Sequence, residues 1–398
     1  MTETEKRVPD LRFKGFIEDW EQRTLTTLMD FSNGINAPKE NYGKGRKMIS
    51  VMDILSKEPI SYGNIRNSVE VDSKTESNNK VENGDIVFVR SSEVRNEVGW
   101  AKAYLENEFA LYSGFTIRGK KIFDFDAFFV ELSINGKNRE QIESKAGGST
   151  RFNVSQSILK SVVISEPSLV EQKKISAFFK QLDDTIALHQ RKLTLLEQLK
   201  QSYLQLMCPQ NKGNIPALRF AGFSEPWEQR KIRELFTVTR GQVLAATKTK
   251  DKETNNFIYP VYSSQTKNNG LMGFYDQYLF ENAITWTTDG ANAGTVNFRK
   301  GKFYSTNVNG VLLSDKGFAN KAISEIINKI AWKHVSKVGN PKLMNNVMSE
   351  ITVTIPFVEE QNKLSLLFEQ LDDTIDLHKC MLDKLLELRL VFLRKMFL

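Results

Sequence analysis

The hydrophobic positions of this chain follow a seven-residue spacing in two long stretches. The first stretch runs from Glu171 to Met207 and the second from Glu360 to Met396, and neither contains a proline or a glycine. Apolar residues at heptad spacing form a stripe along one side of a helix, and such a stripe is normally buried against a partner helix. We therefore predict two long amphipathic helices that pair with each other. The residues predicted to form the pairing stripe are Ile175, Leu182, Ile186, His189, Leu196, Tyr203, Leu364, Leu371, Ile375, His378, Leu385 and Phe392.

The two helical stretches are copies of one sequence. The block LDDTI occurs at Leu182–Ile186 and again at Leu371–Ile375, 189 residues later. At about 1.5 Å of rise per residue, each helix would reach roughly 55 Å. We interpret the pair as a rod that holds two other parts of the chain apart.

A second repeat stands at the front of each half, and we call it the front motif. Val8–Arg23 reads VPDLRFKGFIEDWEQR and Ile215–Arg230 reads IPALRFAGFSEPWEQR, 207 residues later. The chain is therefore a tandem repeat with a period of about two hundred residues. Similar ends flank dissimilar interiors, which predicts a common scaffold that carries two different recognition domains.

Both interiors show short strand patterns, turns and single helices, which is typical of a mixed α/β domain. Strands are predicted within Ile86–Arg90, Ala110–Arg118 and Ala283–Val296, helices within Asp124–Gly136 and Phe318–Trp332, and glycine-containing loops before a short helix and a strand within Lys145–Pro167 and Lys337–Pro356. The predicted domains are residues 1–170 (first mixed domain), 171–210 (first long helix, a central spacer), 211–359 (linker and second mixed domain) and 360–398 (second long helix).

Composition narrows the class of protein. A chain of 398 residues with 40% hydrophobic and 26% charged residues is globular and long enough for two or three domains. Cys208 and Cys380 have no metal-like spacing, no apolar run approaches eighteen residues, and the sequence MTETEKRVPD lacks a signal-peptide core, so we expect a cytoplasmic protein without a membrane span. The net charge of +7 favours an anionic partner. The excess lies in the second half, where residues 228–358 hold 17 Lys and Arg against 10 Asp and Glu.

No catalytic constellation is visible in the sequence. His189 and His378 occupy equivalent stripe positions, which predicts packing or a hydrogen bond between the helices rather than a metal site. GKGRK at Gly43–Lys47 lacks the spacing and the hydroxyl residue of a Walker loop, and no GxGxxG motif follows a strand. We expect no catalytic residue, no metal and no cofactor on this chain.

Basic, amide and hydroxyl residues recur at corresponding loops of the two interiors. Arg, Lys, Asn and Gln pair with base edges, while Lys, Ser, Thr and glycine amides suit phosphates. An equally simple interpretation of any single residue is a solvated turn, but recurrence in both halves favours a DNA contact for the group. The candidates are Lys44, Arg46, Lys47, Arg90, Ser91, Ser92, Arg95, Gly148, Ser149, Thr150, Arg151, Arg240, Ser263, Ser264, Gln265, Lys267, Asn268, Trp286, Thr287, Thr288, Asp289, Lys337, Lys342, Asn345 and Asn346.

These features together resemble the specificity subunits of type I restriction–modification systems. The resemblance rests on LRFKGFIEDWEQR and LRFAGFSEPWEQR before each interior, and on EQKKISAFFKQLDDTI and EQNKLSLLFEQLDDTI after each. GDIVFVRSS and DGANAGTV also look like parts of that family's target-recognition domains.

The resemblance implies a fold and a set of partners. The fold would be two α+β target-recognition domains joined by two long antiparallel helices, a tandem repeat with pseudo-twofold symmetry. Each domain would read half of a split, asymmetric site on double-stranded DNA. The chain itself would be non-catalytic. It would bring two modification methyltransferase subunits to DNA and be joined by restriction motor–nuclease subunits, and those partners would bind S-adenosylmethionine, ATP and Mg.

Two other functions remain open from the residues alone. A coiled-coil scaffold whose interiors bind proteins would explain the repeated helices but not the basic loops, and it should show no salt-dependent DNA binding. A DNA-processing enzyme would have to methylate or cleave DNA as the isolated chain.

Overall fold

The computed structural model describes residues 8–209, 213–264 and 267–398, without the side chain of Lys267. The chain forms two compact units, one of Met1–Leu188 with Leu382–Leu398 and one of His189–Met381. The strands are β1 (Glu21–Thr24), β2 (Met29–Asn33), β3 (Tyr42–Ile49), β4 (Asn67–Val69), β5 (Ile86–Val89), β6 (Ser91–Ser92), β7 (Ala101–Ala103), β8 (Leu111–Tyr112), β9 (Thr116–Lys121), β10 (Phe152–Asn153), β11 (Val163–Glu166), β12 (Glu228–Lys231), β13 (Thr237–Arg240), β14 (Tyr259–Tyr262), β15 (Leu271–Tyr275), β16 (Phe280–Thr287), β17 (Val296–Ser305), β18 (Asn309–Leu313) and β19 (Thr352–Ile355). The α-helices are α1 (Leu25–Leu28), α2 (Val51–Ile54), α3 (Ser73–Asn78), α4 (Ala127–Asn135), α5 (Arg139–Glu143), α6 (Gln156–Lys160), α7 (Leu169–Leu206), α8 (Ile232–Leu235), α9 (Lys321–Ala331), α10 (Asn345–Glu350) and α11 (Val358–Lys395).

The first unit is built on two sheets. A four-stranded antiparallel sheet has the order β2-β9-β5-β7, and a three-stranded sheet has the order β4-β3-β8. Phe88 of β5, Phe129 of α4 and Phe179 of α7 are fully buried in one core cluster. The start of α7 is therefore part of the core of this unit.

The second unit carries one larger sheet. Its six strands have the order β13-β18-β16-β17-β14-β15, in which only the pair β14–β17 is parallel. Ile284 of β16, Ile327 of α9 and Phe368 of α11 lie in its main core cluster. The start of α11 plays the same role here as α7 does in the first unit.

The front motif and the start of the long helix hold each unit together. β1 pairs with β11 and β12 pairs with β19, so each interior is enclosed by a short antiparallel ladder. Gln172 and Gln361 each donate a hydrogen bond from Nε2 to the carbonyl oxygen of the proline five residues earlier, at 2.9 and 2.7 Å. The repeated sequences are thus the parts that close the domains.

Within each unit the two long helices lie side by side and run antiparallel. In the first unit the rings of Phe178 and Phe392 meet edge to face, with centroids 5.0 Å apart. In the second unit the Nδ1 atoms of His189 and His378 are 2.9 Å apart, within hydrogen-bond distance. Of the two roles that the sequence predicted for the histidines, packing or a helix-to-helix hydrogen bond, this contact is the second. The predicted fold class, two mixed α/β domains and two long helices, is confirmed.

The predicted pairing stripe is buried or half-buried along both helices. Ile175, Ile186, Leu364, Leu371, Ile375 and His378 are buried, whereas Leu182, His189, Leu196, Tyr203, Leu385 and Phe392 are half-buried. Ile175, Leu364 and Leu371 also belong to the core clusters of their units. The stripe therefore packs against the domains as well as against the other helix.

One predicted strand is interrupted. The segment predicted as a single strand over Ala110–Arg118 forms β8 and β9, separated by a turn. β8 pairs with β3, whereas β9 pairs with β2 and β5, so the chain changes sheet between them. Gly114 allows the turn, because a Cβ atom there would lie 1.9 Å from Oδ1 of Asn36. Among the described residues, no helix combines the length and apolar character needed to cross a bilayer.

Candidate nucleic-acid interface

Three segments of the second unit meet at the ends of β13 and β16: the hairpin of residues 336–342, the segment after β16, and the start of α10. The hairpin of residues 336–342 is closed by two backbone hydrogen bonds between Ser336 and Lys342, of 2.8 and 3.1 Å. It joins the segment after β16 through Leu343 N–H, which donates to the Thr288 carbonyl at 2.8 Å, and through Gly290 N–H, which donates to the Pro341 carbonyl at 2.9 Å. These bonds fix the hairpin against the sheet.

The same place collects exposed basic and amide side chains. Arg240 ends β13, Lys337 and Lys342 lie on the hairpin, and Asn346 lies in the first turn of α10. Asn345 ties α10 to β13, because its Nδ2 donates to the Thr239 carbonyl at 3.2 Å. We call Arg240, Lys337, Lys342 and Asn346 surface 2. Cations beside amides are suited to phosphates and base edges.

The first unit has a corresponding arrangement. Gly147 and Asn153 exchange backbone hydrogen bonds of 3.3 and 2.9 Å, which closes the loop that carries Gly148, Ser149, Thr150 and Arg151. The ladder β6–β10 and the bond from Val154 N–H to the Arg90 carbonyl, at 2.9 Å, hold this loop beside the end of β5.

Arginines lie over aromatic rings at this loop. The guanidinium of Arg95 is 5.8 Å from the ring centre of Phe152, and that of Arg151 is 5.4 Å from the ring centre of Phe115. Nη1 of Arg90 donates to the Gly114 carbonyl at 3.2 Å. We call Arg90, Arg95 and the loop Gly148–Arg151 surface 1. Guanidinium groups over rings are held in place while their outer edges stay open to a partner.

Three candidates of the first unit lie elsewhere. Lys44, Arg46 and Lys47 are on β3 and already have partners in the protein. Nζ of Lys44 is 2.8 Å from Glu70, and Nη1 of Arg46 is 3.0 Å from Glu108. Nζ of Lys47 donates to a backbone carbonyl, that of Ile65, at 2.8 Å. Their charges serve ion pairs and a loop contact within the unit.

Several candidates point inwards, and the structure corrects the prediction for them. The Trp286 side chain is 1% exposed, and its Nε1 donates to the Leu343 carbonyl at 2.9 Å. Its ring lies against Gly310, the cross-strand partner. Thr287, Thr288, Ser91 and Ser92 are also buried. Because a buried side chain presents no face to a base, these five have packing or hydrogen-bonding roles.

The remaining candidates of the second unit lie in the segments that follow β14 and β16. Ser263 and Ser264 are half-buried, and Asn268 is exposed with a left-handed backbone (φ 51°). Asp289 is half-buried, with Oδ1 3.8 Å from Nζ of Lys342. Gln265 and the side chain of Lys267 lie outside the described residues.

Two glycines at the edge of the surfaces were missed. Gly34 follows β2, and a Cβ atom there would lie 2.1 Å from the backbone oxygen of Ser113. Gly241 follows β13, and a Cβ atom there would lie 2.2 Å from the backbone oxygen of Thr306. Only glycine allows the chain to leave the sheet so close to the next loop. The signal was present, since these glycines are 207 residues apart, the spacing of the front motif. In the described part of the chain, no group of three or more His, Cys, Asp or Glu is placed to hold a metal ion.

Comparison with known proteins gives two consistent results. A family model described as the type I restriction modification DNA specificity domain matches residues 17–198 and again residues 224–387. A type I specificity subunit of Mycoplasma pneumoniae is 30% identical over 213 residues, which are 53% of this chain and 81% of that protein. The specificity subunit of the type I restriction enzyme MpnII from the same organism is 32% identical over 158 residues, 39% of this chain and 46% of that protein.

A solved structure shows the same fold. The crystal structure of a type I restriction-modification system S subunit from M. genitalium aligns with a TM-score of 0.68 over 98% of this chain and 99% of that chain. The sequence identity is 17%, so this likeness concerns the fold alone.

Proposed function

Because this chain belongs to the family of the type I restriction modification DNA specificity domain, we propose that each of its two units reads one half of an asymmetric DNA site. The chain acts as the DNA specificity subunit of a type I restriction–modification system. The observation that carries the proposal is that the family's domain matches twice, once around surface 1 and once around surface 2. The two surfaces differ in sequence, so they read different bases.

Both surfaces have the chemistry that DNA recognition requires. Surface 2 combines Arg240, Lys337 and Lys342 with an exposed amide, and surface 1 combines three arginines with a glycine-containing loop. Lysine and loop amides suit phosphates and set the position of the protein on the duplex. Arginine and asparagine form paired hydrogen bonds with guanine and adenine, which supply the sequence preference. Two different readers on one chain give a non-palindromic site.

The catalytic steps are assigned to partner subunits. In this proposal the chain is non-catalytic and works in the cytoplasm. Two modification methyltransferase subunits bind S-adenosylmethionine and methylate adenine in each half of the site. Restriction motor–nuclease subunits bring ATP and Mg.

The long helices offer apolar side chains to such partners. Leu188 and Leu377 occupy equivalent positions of the two copies, and both are more than half exposed. Leu195 and Leu366 are exposed as well. A methyltransferase subunit that docked on α7 and α11 would cover these exposed leucines.

The test is an exchange of one interior. Residues 231–356 are replaced by the second interior of another family member, which leaves Glu228–Arg230 of β12 and the glutamate and glutamine of α11 in place and supplies the partner strand from the new interior. The variant is expressed with the methyltransferase subunit, and the methylated motif is determined by DNA sequencing that detects methyladenine. We expect one half of the motif to change and the other half to stay. A change in both halves would contradict separate readers.

The other functional classes predict different results in the same material. A protein-binding scaffold would give no methylated motif that follows the exchanged interior, and purified complexes would show no salt-dependent DNA binding. Methylation or cleavage by the isolated chain would contradict its non-catalytic role.

A further inference from the structure

A turn of the second unit holds two neighbouring asparagines in a strained conformation. Asn268 and Asn269 have φ of 51° and 52°, in the left-handed region, and both are exposed. Asparagine tolerates this region better than most residues, but two in succession still cost free energy relative to an ordinary turn. Such a conformation persists where neighbouring groups hold it, and it is typical of functional sites.

Arg299 is the group that holds this turn. It lies on β17 and is 7% exposed. Its Nη2 donates to the Asn269 carbonyl at 2.7 Å, and its Nε donates to the Thr285 hydroxyl at 3.1 Å. The guanidinium lies 3.8 Å from the ring centre of Tyr262. Two of these contacts, with Thr285 of β16 and Tyr262 of β14, fix the side chain against the sheet, and the third fixes the turn.

The partners of this buried cation are neutral groups: a hydroxyl, a carbonyl and an aromatic ring. Burial lowers the pKa of Arg299 to about 10, so it stays protonated at neutral pH. Placing a charge at such a site is expensive compared with an apolar residue. An apolar side chain would fill the space more cheaply but could not fix the turn.

The turn lies beside surface 2. Ser263 N–H donates to the Gly270 carbonyl at 2.8 Å, which closes the loop at the end of β14. The Ser263 hydroxyl is 3.0 Å from the hydroxyl of Thr306. The same segment contacts the residues that follow Arg240, because Gln242 N–H donates to the Ser305 carbonyl at 3.0 Å.

We propose that Asn268 and Asn269 read base edges in the half-site of the second unit, and that Arg299 is the positioning residue that sets their geometry. This inference rests on the proposed function. Asparagine forms a bidentate pair with adenine through N6 and N7. A pair of amides on a rigid, exposed turn can present both groups to adjacent bases, whereas a flexible turn would lose selectivity through disorder.

The test uses substitutions that distinguish a loss of base recognition from a loss of folding. Asn268→Gly and Asn269→Gly remove the amides, but glycine takes a positive φ without strain, so the turn is kept and stability should hold or rise. Arg299→Met keeps the length of the side chain and removes its hydrogen bonds. Lys300→Met is the control, since it removes a charge from the next residue of the same strand, where Nζ of Lys300 is 3.1 Å from Glu369.

The full chain, assembled with its methyltransferase subunits, is used to select from a library of randomised DNA duplexes, and the bound sequences are read. The glycine variants should lose about tenfold to a hundredfold of discrimination at one or two adjacent base pairs of one half-site. Arg299→Met should relax the same base pairs, while Lys300→Met and wild type keep them. The other half-site should be unchanged in every variant.

Three results decide against the inference or its premise. Full discrimination by both glycine variants would show that the amides do not read bases. If Arg299→Met weakened binding to all sequences by the same factor and left the base preferences intact, Arg299 would have only a structural role. Wild-type protein that selects no sequence would overturn the proposed function itself, independently of the turn.

Discussion

Arg219 donates two hydrogen bonds to Glu360, from Nε to Oε1 at 2.9 Å and from Nη2 to Oε2 at 2.7 Å. Arg12 makes the same bidentate pair with Glu171, at 2.7 and 2.8 Å. The arginine comes from the front motif and the glutamate from the first turns of the long helix. These pairs explain why the front motif and the start of the long helix recur in both halves, whereas the interiors differ.

Loss of the glutamate should destabilise its unit strongly. Glu360 is buried and also accepts a hydrogen bond from Nε1 of Trp227 at 3.0 Å. Glu360→Gln removes the buried counter-charge of the half-buried Arg219 guanidinium, and breaking an ion pair at a buried carboxylate costs about 3–5 kcal/mol. We expect faster hydrogen exchange of the β12 and β19 amides. Glu359→Gln is the matched control, because Glu359 is exposed one residue earlier. Equal exchange in the two variants would show that the pair is not needed to close the unit.

A charge on α11 should cost more inside the pairing stripe than outside it. Leu371 is 9% exposed and lies in the core cluster of the second unit, whereas Leu366 is 59% exposed. Leu371→Asp would bury a carboxylate, at a cost of several kcal/mol or a loss of folding. Leu366→Asp should leave the unfolding midpoint nearly unchanged. Thermal unfolding followed by circular dichroism measures both, and a stable Leu371→Asp variant would mean that the stripe faces elsewhere.

The long helices were predictable from the sequence because a heptad pattern depends on local spacing. Their roles in the domains were not, since these come from contacts between distant residues. Asp183 of the first LDDTI block accepts two hydrogen bonds from Arg389, at 2.5 and 3.0 Å. In the second block Asp372 lies 2.7 Å from Nζ of Lys200. Lys200 occupies the position in the repeat that corresponds to Arg389, so each block forms an ion pair between the two helices. The sequence alone did not assign this role.

The sequence located the polar loops, but it did not show which of their side chains are exposed. Thr287, Thr288 and Trp286 look like a polar loop with an exposed ring, because the sequence WTTDG precedes a turn. The cross-strand pairing of Trp286 with Gly310 instead directs the indole into the core. Arg299 was missed for the opposite reason, since a lone arginine in a strand pattern gives no sign of the turn it contacts.

The histidine pair should make the second unit less stable in acid. Burial, followed by the nearby Lys192 and His189, lowers the pKa of His378 below its usual value of 6.5. Because the folded state disfavours protonation, the stabilisation is present above the unfolded pKa and is lost as the pH falls below it. We expect the thermal unfolding midpoint of wild type to decrease as the pH is lowered from about 8 to about 5.

A double variant isolates this contribution. His189→Leu with His378→Leu places apolar residues at both stripe positions, so the pH-dependent part of the helix contact is removed. The difference in unfolding midpoint between double variant and wild type should grow as the pH falls. A constant difference over the same range would show that protonation of His378 does not matter to folding.

Lys342 should contact a DNA phosphate rather than a base. It ends the hairpin of surface 2, and its Nζ lies 3.8 Å from Oδ1 of Asp289, with about half of the side chain exposed. A long, flexible ammonium at the rim of a surface neutralises a phosphate without the paired geometry that base edges require. Lys342→Ala should therefore weaken binding to all duplexes by a similar factor. The slope of log affinity against log salt should fall by about one.

Two further variants define what this result means. Lys300→Ala removes an exposed lysine of β17 that lies 3.1 Å from Glu369 of α11, so it should leave the salt slope unchanged. Arg151→Ala removes the corresponding cation of surface 1 and should reduce the slope as Lys342→Ala does. All three are measured by fluorescence anisotropy with the assembled complex over a salt series. If Lys342→Ala relaxed one base position while the overall affinity held, the residue would be reading sequence, and the phosphate assignment would be wrong.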